Sequence, residues 1–291
     1  MIDKCWPQLT GLRTSASAEA AAILNNRWSQ FELERLFDLQ RQIVPYIDHT
    51  GLPLQGFVVR PAAQAAESLP CVLVAHTAVG IQDDLLLQIL DGVAGLGYVA
   101  FGLDMFGAGQ AVWDREQSLA ARAPLTSDRS LLARRAEAAL HCATQLRGVD
   151  ARRVAVVGYC FGGIVALDTV RAGCGIAAAI TFHGILAPPP PDQDLSWCKH
   201  YSTGCRVLVL HGGADPFVPP DQVRAFEAEM AAAGVQQCSV IVYDGARHAF
   251  TRPEKVLDSD RSAGLFYDAA AAEAGWAAMR GCLEQAFEQP R

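Results

Sequence analysis

The chain has 291 residues, 51% of them apolar and only 19% charged, which is enough to bury one large core and excludes extensive disorder. A net charge of −7 without a Lys/Arg cluster excludes a nucleic-acid or anionic-membrane surface as the main partner. Nine scattered cysteines with no C-x-x-C pair argue against a disulfide framework or zinc site, and no apolar stretch approaches the ~20 residues of a membrane span.

The chain opens Met1-Ile2-Asp3-Lys4-Cys5-Trp6, without the basic head and apolar block of a signal peptide, so a cytoplasmic location is expected. Residues 1–45 read as an N-terminal arm with a helix near 17–39, followed by Ile43-Val44-Pro45-Tyr46 and a Gly51-Leu52-Pro53 turn. The arm is expected to pack on the sheet or on a second subunit of a homodimer, rather than to form a domain; residues 46–291 then make one α/β domain. Strands are predicted at 55–60, 71–76, 98–103, 154–157, 176–182, 207–210 and 240–243. Helices are predicted at 83–96, 131–147, 220–233 and 267–287, with one more directly after 157. Asp83 or Asp84 supplies the first helix cap and Gly234 stops the helix at 220–233. This alternation calls for a mostly parallel sheet covered by helices on both faces. The stretches 107–128 and 188–202 read as loops around a pocket, the second stiffened by Pro188–Pro191.

Chemistry concentrates at Gly158-Tyr159-Cys160-Phe161-Gly162-Gly163, which follows the buried run Val154-Ala155-Val156-Val157. Glycines on both sides of one reactive residue let a strand reverse sharply into a helix, lifting the central side chain above the sheet. Free cysteines usually behave as small hydrophobes, and Cys5, Cys71, Cys142, Cys174, Cys198, Cys205, Cys238 and Cys282 are read that way. Cys160 differs because its setting is that of a nucleophile, which a cysteine performs as a thiolate.

Such a nucleophile needs a base and a group that orients the base. Val207–Leu210 runs into His211-Gly212-Gly213-Ala214-Asp215, and Val240–Tyr243 runs into Asp244-Gly245-Ala246-Arg247-His248. Asp215 and His248 therefore sit just past the carboxyl ends of strands, as Cys160 does, and a parallel sheet gathers its active groups there. His248 is expected to carry the proton, Asp215 to fix its tautomer, and the Phe161 N–H to form half of an oxyanion hole. The other half is expected from the Ala78 N–H, after the strand at 71–76. Reading His211, Asp215 and His248 as metal ligands carries less weight, since the nucleophile arrangement already uses two of them; no metal is expected.

From about residue 50 to 287 the chain resembles the dienelactone hydrolase family of α/β-hydrolases. The resemblance rests on the elbow hexapeptide, on Gly212-Gly213-Ala214-Asp215-Pro216, on His248-Ala249-Phe250-Thr251-Arg252 and on Tyr267-Asp268-Ala269-Ala270 opening the last helix. It implies an α/β-hydrolase fold and a Cys160–His248–Asp215 triad that opens a small-molecule ester or lactone through a thioester, with no cofactor. Arg252 matches one of two arginines that hold a substrate carboxylate in that family, and Thr77 and Tyr159 are grouped with it as substrate-binding residues. Two departures stand out. Thr77 occupies the place where the family commonly has a glutamate that takes the thiol proton, and 104–110 contains no second arginine. Activation then rests on His248 alone or on a carboxylate the sequence does not identify. An acyltransferase or thioesterase with the same triad, or a silent binding protein on the same fold, are the alternatives.

Overall fold

The computed structural model describes residues 39–62, 68–198 and 200–288. Eight strands form one sheet: β1 (Leu39–Ile47), β2 (Pro53–Pro61), β3 (Leu69–Ala75), β4 (Val99–Leu103), β5 (Val149–Tyr159), β6 (Ala178–Phe182), β7 (Arg206–Gly212) and β8 (Gln237–Tyr243). Their spatial order is β1-β2-β4-β3-β5-β6-β7-β8; β1 and β2 run antiparallel to their neighbours and the rest are parallel. The helices are α1 (Asp84–Gly95), α2 (Arg115–Ser127), α3 (Arg129–Thr144), α4 (Phe161–Arg171), α5 (Pro220–Ala232), α6 (Asp258–Ser262) and α7 (Ala269–Glu288). This is the mostly parallel, helix-covered sheet expected from the alternation, in the α/β-hydrolase arrangement that the resemblance implies.

The central strands are apolar at every position because both faces are covered. In β3, Cys71, Leu73 and Ala75 point toward α3, α4 and α5, whereas Val72 and Val74 point toward α1 and α7. The strand order reverses beside β3: the chain leaves it for β4 on one side and later enters β5 on the other. A crevice opens at such a switch point, outside the carboxyl ends of the strands. The loop after β3 and the bend after β5 both face that crevice.

Three expectations meet the structure differently. The helix expected near 17–39 falls on residues outside those described, except Leu39, which opens β1. The arm's expected boundary at residue 45 lies inside β1, which pairs along its whole length with β2, from Leu39↔Pro61 to Ile47↔Pro53. The intervening turn is held by Asp48, whose carboxylate accepts the Thr50 and Leu52 amides and an Arg135 N–H, so the chain folds straight back onto the sheet. Pro45 is tolerated because β1 is an edge strand. Finally, the expected loop 107–128 contains α2. Only Ser118 and Leu125 of this helix are buried and Pro124 lies inside it, so its sequence has no apolar stripe to reveal it. Asp114, whose carboxylate accepts the Glu116 and Gln117 amides, starts it.

Candidate active site

The β5–α4 bend holds Cys160 at φ 55, ψ −113, a conformation no L-residue favours. It is possible only because the flanking glycines let the backbone close up: a Cβ at Gly158 would collide with the Gly162 carbonyl, and one at Gly162 with the Ala75 carbonyl. Ala249 (φ 60) and His183 (φ 38) share the left-handed region and lie beside the same site. Backbone strain of this kind persists only where surrounding structure enforces it, at ~1–3 kcal/mol per residue.

The bend, the β7 loop and the β8 loop bring the three expected side chains together. His248 Nε2 lies 3.1 Å from Cys160 Sγ, and His248 Nδ1 lies 2.7 Å from Asp215 Oδ2. Asp215 is fixed in turn by the Phe217 amide at 2.8 Å. Asp215 and His248 are buried, while Cys160 is only half-buried and so reaches the surface.

This geometry sets the charges. Burial opposes ionisation of the Cys160 thiol, but the His248 charge and hydrogen bond, the Phe161 N–H and the more distant Arg122 together bring it below its ordinary value. Burial likewise opposes a charged His248, yet the Cys160 thiolate and the Asp215 carboxylate outweigh it and push the imidazole up to about 10. Both shifts favour the thiolate–imidazolium form of the pair. Burial instead pushes the buried Cys71 and the partly buried Cys174 up to about 12, and the partly buried Cys238 and Cys282 up to about 11, as expected of unreactive thiols.

The loop after β3 carries Ala78, and its carbonyls are tied outward. His76 Nδ1–H donates to Thr77 O at 2.6 Å, Ser118 Oγ–H of α2 to Ala78 O at 2.7 Å, and Val112 N–H to Val79 O at 2.6 Å. His76 is itself locked in one tautomer, since its Nε2 accepts the Met105 amide at 3.1 Å. In a trans peptide the carbonyl and the next N–H point oppositely, so the Thr77 O bond fixes the direction of the Ala78 N–H. The Phe161 N–H already points at the sulfur.

The three residues grouped as substrate-binding fare differently. Tyr159 is buried in the core, stacked on Phe182 with ring centroids 4.5 Å apart, because its side chain points to the face opposite Cys160. Thr77 is buried and donates to Asp83 Oδ2 at 2.8 Å. Arg252 donates to Asp83 Oδ2 at 2.6 Å, to Asp83 Oδ1 at 3.2 Å and to Glu254 Oε1 at 2.5 Å, and its side chain is only 12% exposed. It fastens the histidine loop to the loop after β3 rather than standing free for a substrate. Asp83, read from sequence as a helix cap, does both jobs: it accepts the Leu85 amide and is the carboxylate beside Thr77. His183 is fully buried, with Nε2 2.8 Å from Thr251 Oγ1 and its ring 5.0 Å from that of His248.

A half-buried thiol on a strained strand–helix bend, with imidazole and carboxylate in line, lies at the carboxyl edge of the sheet, where a parallel sheet gathers its reactive groups. The model of the dienelactone hydrolase family matches residues 54–287, and the chain belongs to that family; it is a carboxylic ester or lactone hydrolase. An uncharacterised Caenorhabditis elegans protein is 36% identical over 165 residues, covering 56% of this chain and 99% of its own. A putative carboxymethylenebutenolidase of Salmonella typhimurium is 26% identical over 243 residues, 79% of this chain and 84% of its own. Among solved structures, m3DLH is 31% identical with a TM-score of 0.77, covering 86% of this chain and 99% of its own. The dienelactone hydrolase-like promiscuous phosphotriesterase P91, from metagenomic libraries, is 30% identical with a TM-score of 0.76 and the same coverage.

Proposed function

We propose that the chain hydrolyses its ester or lactone through a Cys160–His248–Asp215 triad and a thioester intermediate. The observation that carries this is the continuous relay Sγ···Nε2, 3.1 Å, and Nδ1···Oδ2, 2.7 Å, on a strained bend open to solvent. The Cys160 thiolate attacks the carbonyl carbon, and the new oxyanion rests on the Phe161 and Ala78 amides. The tetrahedral intermediate collapses, its C–O bond breaks, and the leaving oxygen takes the Nε2 proton of His248. Neutral His248 then removes a proton from water as that water attacks the thioester. Collapse of the second intermediate releases the carboxylic acid and restores the thiolate beside a protonated imidazole. Asp215 stays ionised throughout and keeps Nδ1 protonated.

The pair needs no outside base, because the thiol has already passed its proton to His248. On this reading a site with Thr77 in place of a glutamate is activated by His248 itself. The test is intact-protein mass spectrometry during turnover of an activated aryl ester. The expected result is an acyl adduct on Cys160 that disappears on completion, and loss of turnover and adduct in Cys160→Ala. Full turnover by Cys160→Ala would sink the reading.

A further inference from the structure

The charges around Cys160 are arranged in a way that speaks to the substrate. Arg252 is saturated by Asp83 and Glu254, and Asp84 lies in the same corner, so one guanidinium faces three carboxylates. On the β4 side the chain wraps around Asp104, whose carboxylate accepts the amides of Phe106, Gly107, Gly109 and Gln55; residues 104–110 include no cation, and the Arg135 guanidinium that reaches the Met105 carbonyl is already paired with Asp48. The walls next to the reacting groups are aromatic. Phe106, half-buried, stacks on Phe161 with centroids 5.8 Å apart, and Phe217, 47% exposed, sits edge-on to His248 at 5.0 Å.

A substrate carboxylate entering here would have to break the Arg252–Asp83 pair, leaving a buried carboxylate whose side chain is 1% exposed without its counter-ion. It would also approach a corner with a surplus of negative charge. An uncharged ester meets neither obstacle and can lie along the two rings. Among the described residues, Arg122 is a guanidinium whose positive charge is felt at Cys160; it donates through Nε to the Ser118 carbonyl at 3.2 Å.

We propose, building on the Cys160 hydrolase reading, that the site selects uncharged esters or lactones and discriminates against substrates that carry a carboxylate. Arg252 thus excludes rather than recruits an anion. The test compares two esters of equal length, the aryl monoester of adipic acid and its methyl-capped diester, on the full chain. The expected kcat/KM favours the diester by tenfold or more, and the gap narrows as salt is added, since part of it is repulsion screened over about 10 Å at 0.1 M. Glu254→Gln, which removes an exposed negative charge outside the reacting groups, is expected to raise the monoester rate several-fold with the diester rate unchanged.

A monoester turned over as fast as the diester or faster overturns the proposal while leaving the hydrolase reading intact. If that preference then vanishes in Arg122→Gln, Arg122 is the anion's partner. Absence of Cys160-dependent turnover of either ester overturns both.

Discussion

At the N-terminal end of α4 a thiol meets an imidazole and a carboxylate; at its C-terminal end two arginines meet two carboxylates. Both groups are largely buried, but they differ in the backbone that carries them and in what their members are bonded to. Asp168 accepts from Arg129 Nε and Nη2, each at 2.6 Å, and from Arg171 Nη1 at 3.0 Å. Arg171 also forms a two-point pair with Glu229 at 2.7 and 2.8 Å, and Glu229 takes the Tyr201 hydroxyl at 2.9 Å. Every member is committed, on regular helix, and the cluster ties α4 to α3, α5 and the 196–203 segment. The Cys160 end sits on strained backbone and keeps its sulfur within reach of solvent. Buried charge alone therefore does not mark a site; strain and an uncommitted nucleophile do.

The contrast can be broken at either end. Cys160→Gly is expected to have the largest effect, lowering kcat/KM by about 10⁴-fold or more. Because glycine accepts φ 55 and ψ −113 without strain, the same variant should be more stable by roughly 1 kcal/mol, read as a higher urea midpoint. A loss of stability would contradict the strain argument. Asp168→Ala should do the opposite: it leaves two buried guanidinium groups short of a partner and is expected to lose about 3–5 kcal/mol in urea unfolding, with kcat per folded molecule little changed.

The proton relay sets the pH behaviour. Since the thiol is held low and His248 is pushed up to about 10, the ion pair persists between those two values. Turnover should fall on the acid side as the thiolate is protonated, and on the alkaline side near 10 as the imidazolium loses its proton. In His248→Asn the thiol loses its counter-ion and should titrate at or above ~8.5, slowing alkylation at pH 7 by about tenfold or more. The smallest effect is expected from Ser118→Ala, which frees the Ala78 carbonyl from α2 and should lower kcat about three- to tenfold with little change in stability.

The triad was legible in the sequence because each member follows a short β-branched run and sits in its own glycine-marked turn; those are local signals. What could not be read spans distance. Asp83 and Arg252 lie 169 residues apart, and nothing near Asp83 says more than that it opens a helix. Arg252 likewise sits at a spacing that invites a substrate role until its partner is seen. Tyr159 looks close to the chemistry in sequence, but the pleat turns it away. The helix over Arg115–Ser127 lacks an apolar stripe, and β1 could be placed only by its pairing with β2.

That helix has a consequence for how new specificities arise. It shares just two buried side chains with the rest of the molecule, yet one of them, Ser118, holds the Ala78 carbonyl in the loop after β3. Most of its outward positions are therefore open to substitution at small thermodynamic penalty. Relatives would be expected to diverge along this lightly anchored helix long before the fully buried strands change.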